Sequence, residues 1–517
     1  MIQLFQGLLP SIRLPVHQTL QRQLYRLFDV LVLKVKDSLK GIERHAISTD
    51  AWSSKNSVYS LAGIILFFID KNWTLNELVL DVIDLDAEHA GSLMGKLVYS
   101  ALRAKGAAHQ AIACVTDNAS TNSLMNKTLA AQIRKHEGVH AHSKSMSFTC
   151  IAHAIHLVCT DLTSHLGVIE SDDHYSEVKG SNLEEYIDDE DDGMDPGLDL
   201  DFDTESESNF DEDLLEELAP ELASADDEKP TGRASKGGRP KALTIIEKIH
   251  EIVVYATASP KRQKEMRQII NKTCPKDVRH LFLKKSMRIR WDSVRAELKR
   301  ALQLRQAITY FVANLDSAQS RRGKSRKMIQ KMQIRWNITG EEWDLGTMVV
   351  EILDPFHTAS EAMSRRDAAT LADVIPTFAL LERKLLDNIS QLRNITADRG
   401  NATARALLSG LDAALVKLQK YQTLAHENEL CIIATVLNPR FRLKYLTRWP
   451  ELHSNASTVV SNIFENYRVK YSKATNTLAN SVPHQNPQKS SKTGSAWEAE
   501  LYSDVPLFVE QFDQELK

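Results

Sequence analysis

The chain has 517 residues, 43% of them hydrophobic, which is enough to bury more than one core. No apolar run approaches the roughly 20 residues that cross a bilayer, and the N-terminus lacks the basic-apolar-small order of a secretion signal, so neither a membrane nor a secreted protein is expected. The net charge of −4 hides an asymmetry: Glu170 to Glu228 holds 26 acidic residues against the single basic Lys179, a local −25, which leaves about +21 on the rest of the chain and marks it as a binder of polyanions. Cys114, Cys150, Cys159, Cys274 and Cys431 are odd in number and lack CxxC spacing, which argues against a disulfide framework and for a reducing compartment.

Residues 1–45 read as helical in their second half, where Leu20, Leu24, Leu27, Leu31 and Val35 recur at three- and four-residue steps and share one helix face. A short apolar-to-polar run from Ala46 ends at Asp50. Val58–Asp70 is rich in aliphatic and aromatic residues, Lys71-Asn72 makes a polar break, and Trp73–Leu85 alternates in part, the pattern of strand, strand, tight turn and strand. Gly91 to Ala104 has Leu93, Leu97, Ala101 and Leu102 at helical spacing. Ala111–Thr116 is a buried-type strand ending in Asp117. The order is therefore three strands, a helix and a fourth strand, with one aspartate at the first strand and another just after the fourth. Phe148–Val158 fits a fifth strand or the start of a helix, and periodicity does not decide between them.

Residues 170–242 break the composition: acids, serine and glycine with few aromatics, closing in Gly237-Gly238-Arg239-Pro240-Lys241. Such a segment buries too little apolar surface to offset its ordering entropy, so disorder is expected. From 243 to 472 the pattern is helical, as in Leu345, Met348, Val349, Ile352 and Leu353 on one face. Residues 473–517 form a loose tail.

Several segments, in order, resemble those of a known family. Ser48-Thr49-Asp50-Ala51-Trp52-Ser53-Ser54 resembles the hAT-superfamily transposase segment that holds the first catalytic aspartate. Phe68-Ile69-Asp70 with Trp73 and Leu75, then His89-Ala90-Gly91, are similar to the next landmarks. Val115-Thr116-Asp117-Asn118-Ala119-Ser120-Thr121-Asn122 resembles the second catalytic motif. Cys150-Ile151-Ala152-His153, Arg290-Trp291-Asp292-Ser293 and Leu437-Asn438-Pro439-Arg440-Phe441 follow in the family's order. The resemblance runs from about residue 46 to 447. It implies an α/β fold: a ribonuclease H-like mixed sheet at 46–169, interrupted by a large, mainly helical insertion, with the acidic linker at 170–242 and the helical hAT-like region at 243–472. It also implies a nuclear protein whose partners are DNA and a second copy or a full-length transposase.

Phosphodiester cleavage and strand transfer call for charge neutralisation on both the entering and leaving oxygens, which a pair of divalent cations supplies. The resemblance implies that Asp50 bridges two Mg²⁺ or Mn²⁺ ions and Asp117 binds one. Each residue also fits an ordinary strand-end or turn aspartate. No zinc-ligand set of the BED-finger kind precedes residue 46, and no Ser-rich Glu-Arg segment precedes Lys517, so the third catalytic acid of the family has no match here. Glu361, in the helical region, matches a structural landmark and not the catalytic position.

Cys150 and His153 make half of a zinc site, and two ligands do not close a tetrahedral one. The family reading puts His153 near the scissile phosphate; a satisfied histidine beside a buried cysteine fits as well. Arg290 and Trp291 combine a phosphate-binding cation with a ring able to stack on an unpaired base, and equally fit a core tryptophan beside a solvated arginine. Lys284, Lys285, Arg288, Arg295, Lys299 and Arg300 add basic charge nearby; such a run is usually a solvated face, but its density next to Arg290-Trp291 favours contact with the DNA backbone. Gly238-Arg239-Pro240 resembles the core of an AT-hook, in which arginine enters an A·T minor groove. Three functions fit: a metal-dependent DNA transposase completed by a longer product or partner, a transposase-derived DNA binder that does not cut, and a helical scaffold. The second describes this chain best, and the third leaves the two aspartate motifs unexplained.

Overall fold

The computed structural model describes residues 16–53, 59–85, 91–117, 120–139, 146–166, 243–287, 291–315, 324–366, 368–399, 402–472, 497 and 501. In chain order these form α1 (His17–Ser38), β1 (His45–Ser53), β2 (Ser60–Ile69), β3 (Leu75–Asp84), α2 (Gly91–Ala104), β4 (Ala111–Thr116), α3 (Ser120–Glu137), β5 (Ser147–Thr149) and α4 (Ile151–Ser164). After them come α5 (Ile245–Thr257), α6 (Pro260–Thr273), α7 (Trp291–Gln303), α8 (Arg305–Ala313), α9 (Lys324–Arg335) and α10 (Gly340–Met363). The chain continues through α11 (Val374–Arg399), α12 (Ala402–Glu427), α13 (Glu429–Leu437), α14 (Arg442–Tyr445) and α15 (Pro450–Ser472). The acidic block, Arg239, Arg288, Arg290 and the stretch 473–493 lie outside the described residues.

The five strands make one mixed sheet in the order β3-β2-β1-β4-β5. β1, β2 and β3 form an antiparallel meander, and β1 runs through to Ser53 because its pairing with β2 continues to Ser53↔Ser60. The β2–β3 turn is closed by Asp70, whose Oδ1 accepts from the Asn72 and Thr74 backbone nitrogens at 2.9 Å each. β4 returns parallel to β1 after the crossover helix α2, and β5 lies parallel to β4. Phe148–Val158 contains both of the alternatives open in the sequence, since the chain leaves the strand at Thr149 and enters a helix at Ile151.

Burial alternates along β2, with Ala62, Ile64, Leu66 and Phe68 buried. They join Ile47, Cys114, Met94, Val98 and Leu102 of α2, and Met125, Leu129 and Ile133 of α3, in one core on that face of the sheet. Helices α2 and α3 approach very closely. A Cβ added at Gly91 or Gly95 would overlap the backbone oxygen of Thr121 or Met125, so only glycine fits at either crossing point.

A second, larger core joins α4 to the helices after residue 243, with Phe148 and Ile151 packed against it. Helix ends in this part are fixed locally. Thr244 and Glu247 form a capping box at α5, and Thr339 and Glu342 form another at α10. Thr244 Oγ1 also donates to the Leu166 carbonyl at 2.9 Å, tying the start of α5 to the end of α4. Among the described residues no helix is long and apolar enough to cross a membrane.

Candidate functional site

Because β1, β4 and β5 run parallel, their C-terminal ends share one edge of the sheet. Asp50 and Asp117 both lie at that edge. The last β1–β4 partners are Ser48↔Val115, and two residues further along each strand stand Asp50 and Asp117. Neighbouring strands are about 4.8 Å apart, so the two aspartates lie on adjacent chain segments at this edge, although the paired register itself stops at Ser48↔Val115. By the alternation of burial along β1, Asp50 lies on the face opposite the α2–α3 core. Asp50 is exposed, and Asp117, just past β4, is half-buried.

Three further side chains shape this edge. Asn122, in the first turn of α3, donates through Nδ2 to Asp117 Oδ1 and so orients that carboxylate. Across the β1–β2 pair, Asp50 faces Gly63, and the Trp52 ring lies over that glycine, 3.4 Å from where a Cβ would be. The missing side chain gives the indole room beside Asp50, where it is 45% exposed. Neither Asn122 nor Trp52 was assigned a role in the sequence reading. The available signals were an amide five residues after the second aspartate and an aromatic two residues after the first.

His153 sits in the first turn of α4. That turn is anchored to the same edge, because the Cys150 nitrogen donates to the Thr116 carbonyl at 2.7 Å. The His153 ring is half-buried and stacks on His156 with centroids 6.0 Å apart. Thus Asp117 directly follows β4, His153 lies in the first turn of the helix that follows β5, and Asp50 lies within the last part of β1. Burial pushes the thiols of Cys114 and Cys431 up to about 12 and that of Cys159 well above its ordinary value, so these cysteines stay protonated and inert.

Trp291 is 4% exposed and belongs to the helical core, so its ring presents no face for stacking on a base; the core-tryptophan reading describes it. Arg290 and Arg239 lie outside the described residues. Of the nearby basic residues, Arg295 is buried between Asp292, at 2.8 Å, and Asp354, at 2.6 Å. Lys299 also reaches Asp354, at 3.1 Å, and Arg300 donates to the Phe282 carbonyl. These three are engaged within the protein, whereas Lys284 and Lys285 are exposed. Asp292 further accepts from His357 Nδ1 at 2.9 Å. Burial alone would raise its pKa, but the hydrogen bonds from His357 and Arg295 outweigh it and bring the group down to about 2. Among the described residues, no group of three or more His, Cys, Asp or Glu side chains is placed to hold a metal ion.

Sheet order and strand directions give a mixed α/β protein with a large complement of helices, consistent with an RNase-like domain. Comparison with known proteins agrees: residues 48–145, from β1 almost to β5, match the family described as the ZBED1 RNase-like domain. A protein of Talaromyces stipitatus named as a transcriptional regulator, tpeD, is 19% identical over 480 residues, which is 91% of this chain and 44% of that protein. The chain spans less than half the length of that curated relative.

Proposed function

We propose that the chain is a nuclear DNA-binding protein derived from an hAT-type transposase, and that it regulates or occupies DNA without cutting it. One observation carries the reading: Asp50 on β1 and Asp117 just past the neighbouring parallel strand β4 each lie two residues beyond the last paired residues, Ser48↔Val115, a placement that fits the first two carboxylates of a phosphodiester-cleaving site. The strongly basic balance outside the acidic block supports a phosphate-rich partner. Trp52, half-exposed beside Asp50, gives this edge a flat apolar ring on which a base or sugar can stack.

The two carboxylates are hard oxygen donors at a solvent-reached edge, a donor set suited to Mg²⁺ or Mn²⁺. Asp50 and Asp117 would hold such an ion, with Asn122 fixing the orientation of Asp117. A dication bound there would supply neutralisation of phosphate charge and a more acidic bound water. Two carboxylates hold one dication weakly, and strand transfer asks for stabilisation of both the entering and the leaving oxygen. Binding without cleavage follows.

The experiment is a binding and nicking assay on labelled duplex DNA, in Mg²⁺ and in Mn²⁺, with Asp50→Ala alongside. Binding that weakens steeply with salt, no nicking, and equal binding by the variant are the expected results. Failure to bind DNA at low salt would refute the DNA reading. Nicking abolished by Asp50→Ala would restore the enzyme and call for a third acid elsewhere in the chain.

A further inference from the structure

The largest apolar surface left uncovered among the described residues is on α1, which has no buried residue along its 22 positions. Leu20, Leu24, Leu27 and Leu31 are 47%, 58%, 55% and 48% exposed, and the flanking Phe28 and Val30 are 54% and 49% exposed. Val32 and Val35 are half-buried, Val35 against the α/β core, and the Lys105 ammonium lies 6.0 Å from the Phe28 ring centroid. A helix so lightly held is marginal in water, and a leucine stripe of this size marks an interaction surface.

The spacing identifies the occupant. Steps of four, three and four place the leucines at the a and d positions of a heptad. In the same register Arg22, Asp29 and Lys36, seven residues apart, fall at the outermost position, and the seam is flanked in its first half by uncharged Gln21 and Gln23. The leucine spacing reads the same in both directions, so the stripe matches its own copy whether the helices run parallel or antiparallel. The four leucines with Phe28 and Val30 expose roughly 550 Å² per copy, so pairing removes about 1,100 Å² from water, just above the ~1,000 Å² expected of a specific interface.

We infer that α1 is a homodimerisation helix that pairs with α1 of a second copy of this chain through Leu20, Leu24, Leu27 and Leu31. The pairing is independent of DNA and of the carboxylate edge, so its test is run without either. The full chain is measured by sedimentation equilibrium at micromolar concentration, beside the Leu24→Glu/Leu31→Glu double variant. Both leucines are half-exposed, so the variant should keep its far-ultraviolet circular dichroism and its melting curve. Wild type is expected at twice the chain mass and the variant at the chain mass, with dimer affinity reduced roughly 100-fold or more by charges forced into the seam. If the glutamates unfold the chain, Leu24→Gln/Leu31→Gln, which keeps helix propensity, is read in the same way. A monomeric wild type, or a dimer that survives the folded double variant, overturns the inference.

Discussion

Replacing Gly95 with alanine should destabilise the α/β core and disturb the candidate site with it. A Cβ at this position in α2 would stand 2.6 Å from the Met125 carbonyl oxygen, 2.8 Å from Thr128 Cβ and 3.1 Å from the Leu129 nitrogen. Two of those atoms are backbone and cannot swing aside, so α2 and α3 must part by nearly ~1 Å to reach ordinary contact distances. Overpacking of this kind costs about 1–3 kcal/mol, while alanine's better helix propensity returns about 0.5–1 kcal/mol; because the contacts below 3 Å put the cost in the upper part of its range, the net loss is about 1–2.5 kcal/mol. For a domain of this size that corresponds to a fall in Tm of roughly 2–10 °C. Asn122, which orients Asp117, begins the same α3, so the displacement reaches the sheet edge as well. The assay is thermal or urea unfolding of the full chain, with Gly340→Ala as control, since a Cβ there meets nothing within 4 Å. Equal stability of Gly95→Ala and wild type would refute the argument, because it would show that the two helices separate at no cost.

Two further outcomes are expected. Asp292 has its pKa depressed to about 2 by His357 and Arg295 against the opposing effect of burial, so its contribution is present above the ordinary carboxylate value and lost as pH falls through the folded one. With the side chain 46% exposed, screening limits that contribution to about 1 kcal/mol. Asp292→Asn should therefore lower the urea midpoint at neutral pH, and the difference from wild type should shrink as pH falls from about 4 towards 2; a pH-independent difference would remove the electrostatic explanation. Deleting 170–228, the block of net charge −25, should tighten nonspecific DNA binding and steepen its salt dependence. An unchanged salt titration would make that block an inert spacer.

The strands and the aspartate positions were legible because alternation and strand-end acids are local patterns. Strand pairing is not local. That Ser48 sits against Val115, and hence that Asp50 and Asp117 share one end of the sheet, depends on a crossover no periodicity encodes. β5 is three residues long, too short to show a period, so the stretch after Phe148 stayed ambiguous. The α1 stripe was read correctly as one face, but spacing reports which residues share a face and not whether anything covers it. Trp52 over Gly63 required the β1–β2 register, and the Asp292, Asp354 and His357 cluster required α7 to pack on α10. Basic residues near Arg290 read as a DNA-facing patch because their acidic partners, Asp292 apart, lie more than fifty residues away in sequence.

The candidate edge lies where the two cores meet, and its parts do not depend on them equally. Cys114 of β4 packs in the α/β core, whereas Phe148 of β5 and Ile151 of α4 pack against the helical one. β5 is held from both sides: Asn126 of α3 donates to Ser147 Oγ at 2.9 Å, and Asn428, which caps α13, donates to the Ser147 carbonyl at 3.4 Å. α4 is seated on α12, where Gly410 allows close approach to the Leu162 carbonyl. His153 is therefore tied both to the sheet, through the Cys150–Thr116 hydrogen bond, and to the helical core, through α4, while Asp50 is placed by a hydrogen-bonded register inside one sheet and Asp117 follows directly from the neighbouring strand. Changes in the helices would alter how His153 approaches the edge before they changed the spacing of the carboxylates. Of the three residues at this edge, Asp50 depends least on the helical part of the chain, and for that reason the nicking assay is controlled at Asp50 and not at His153.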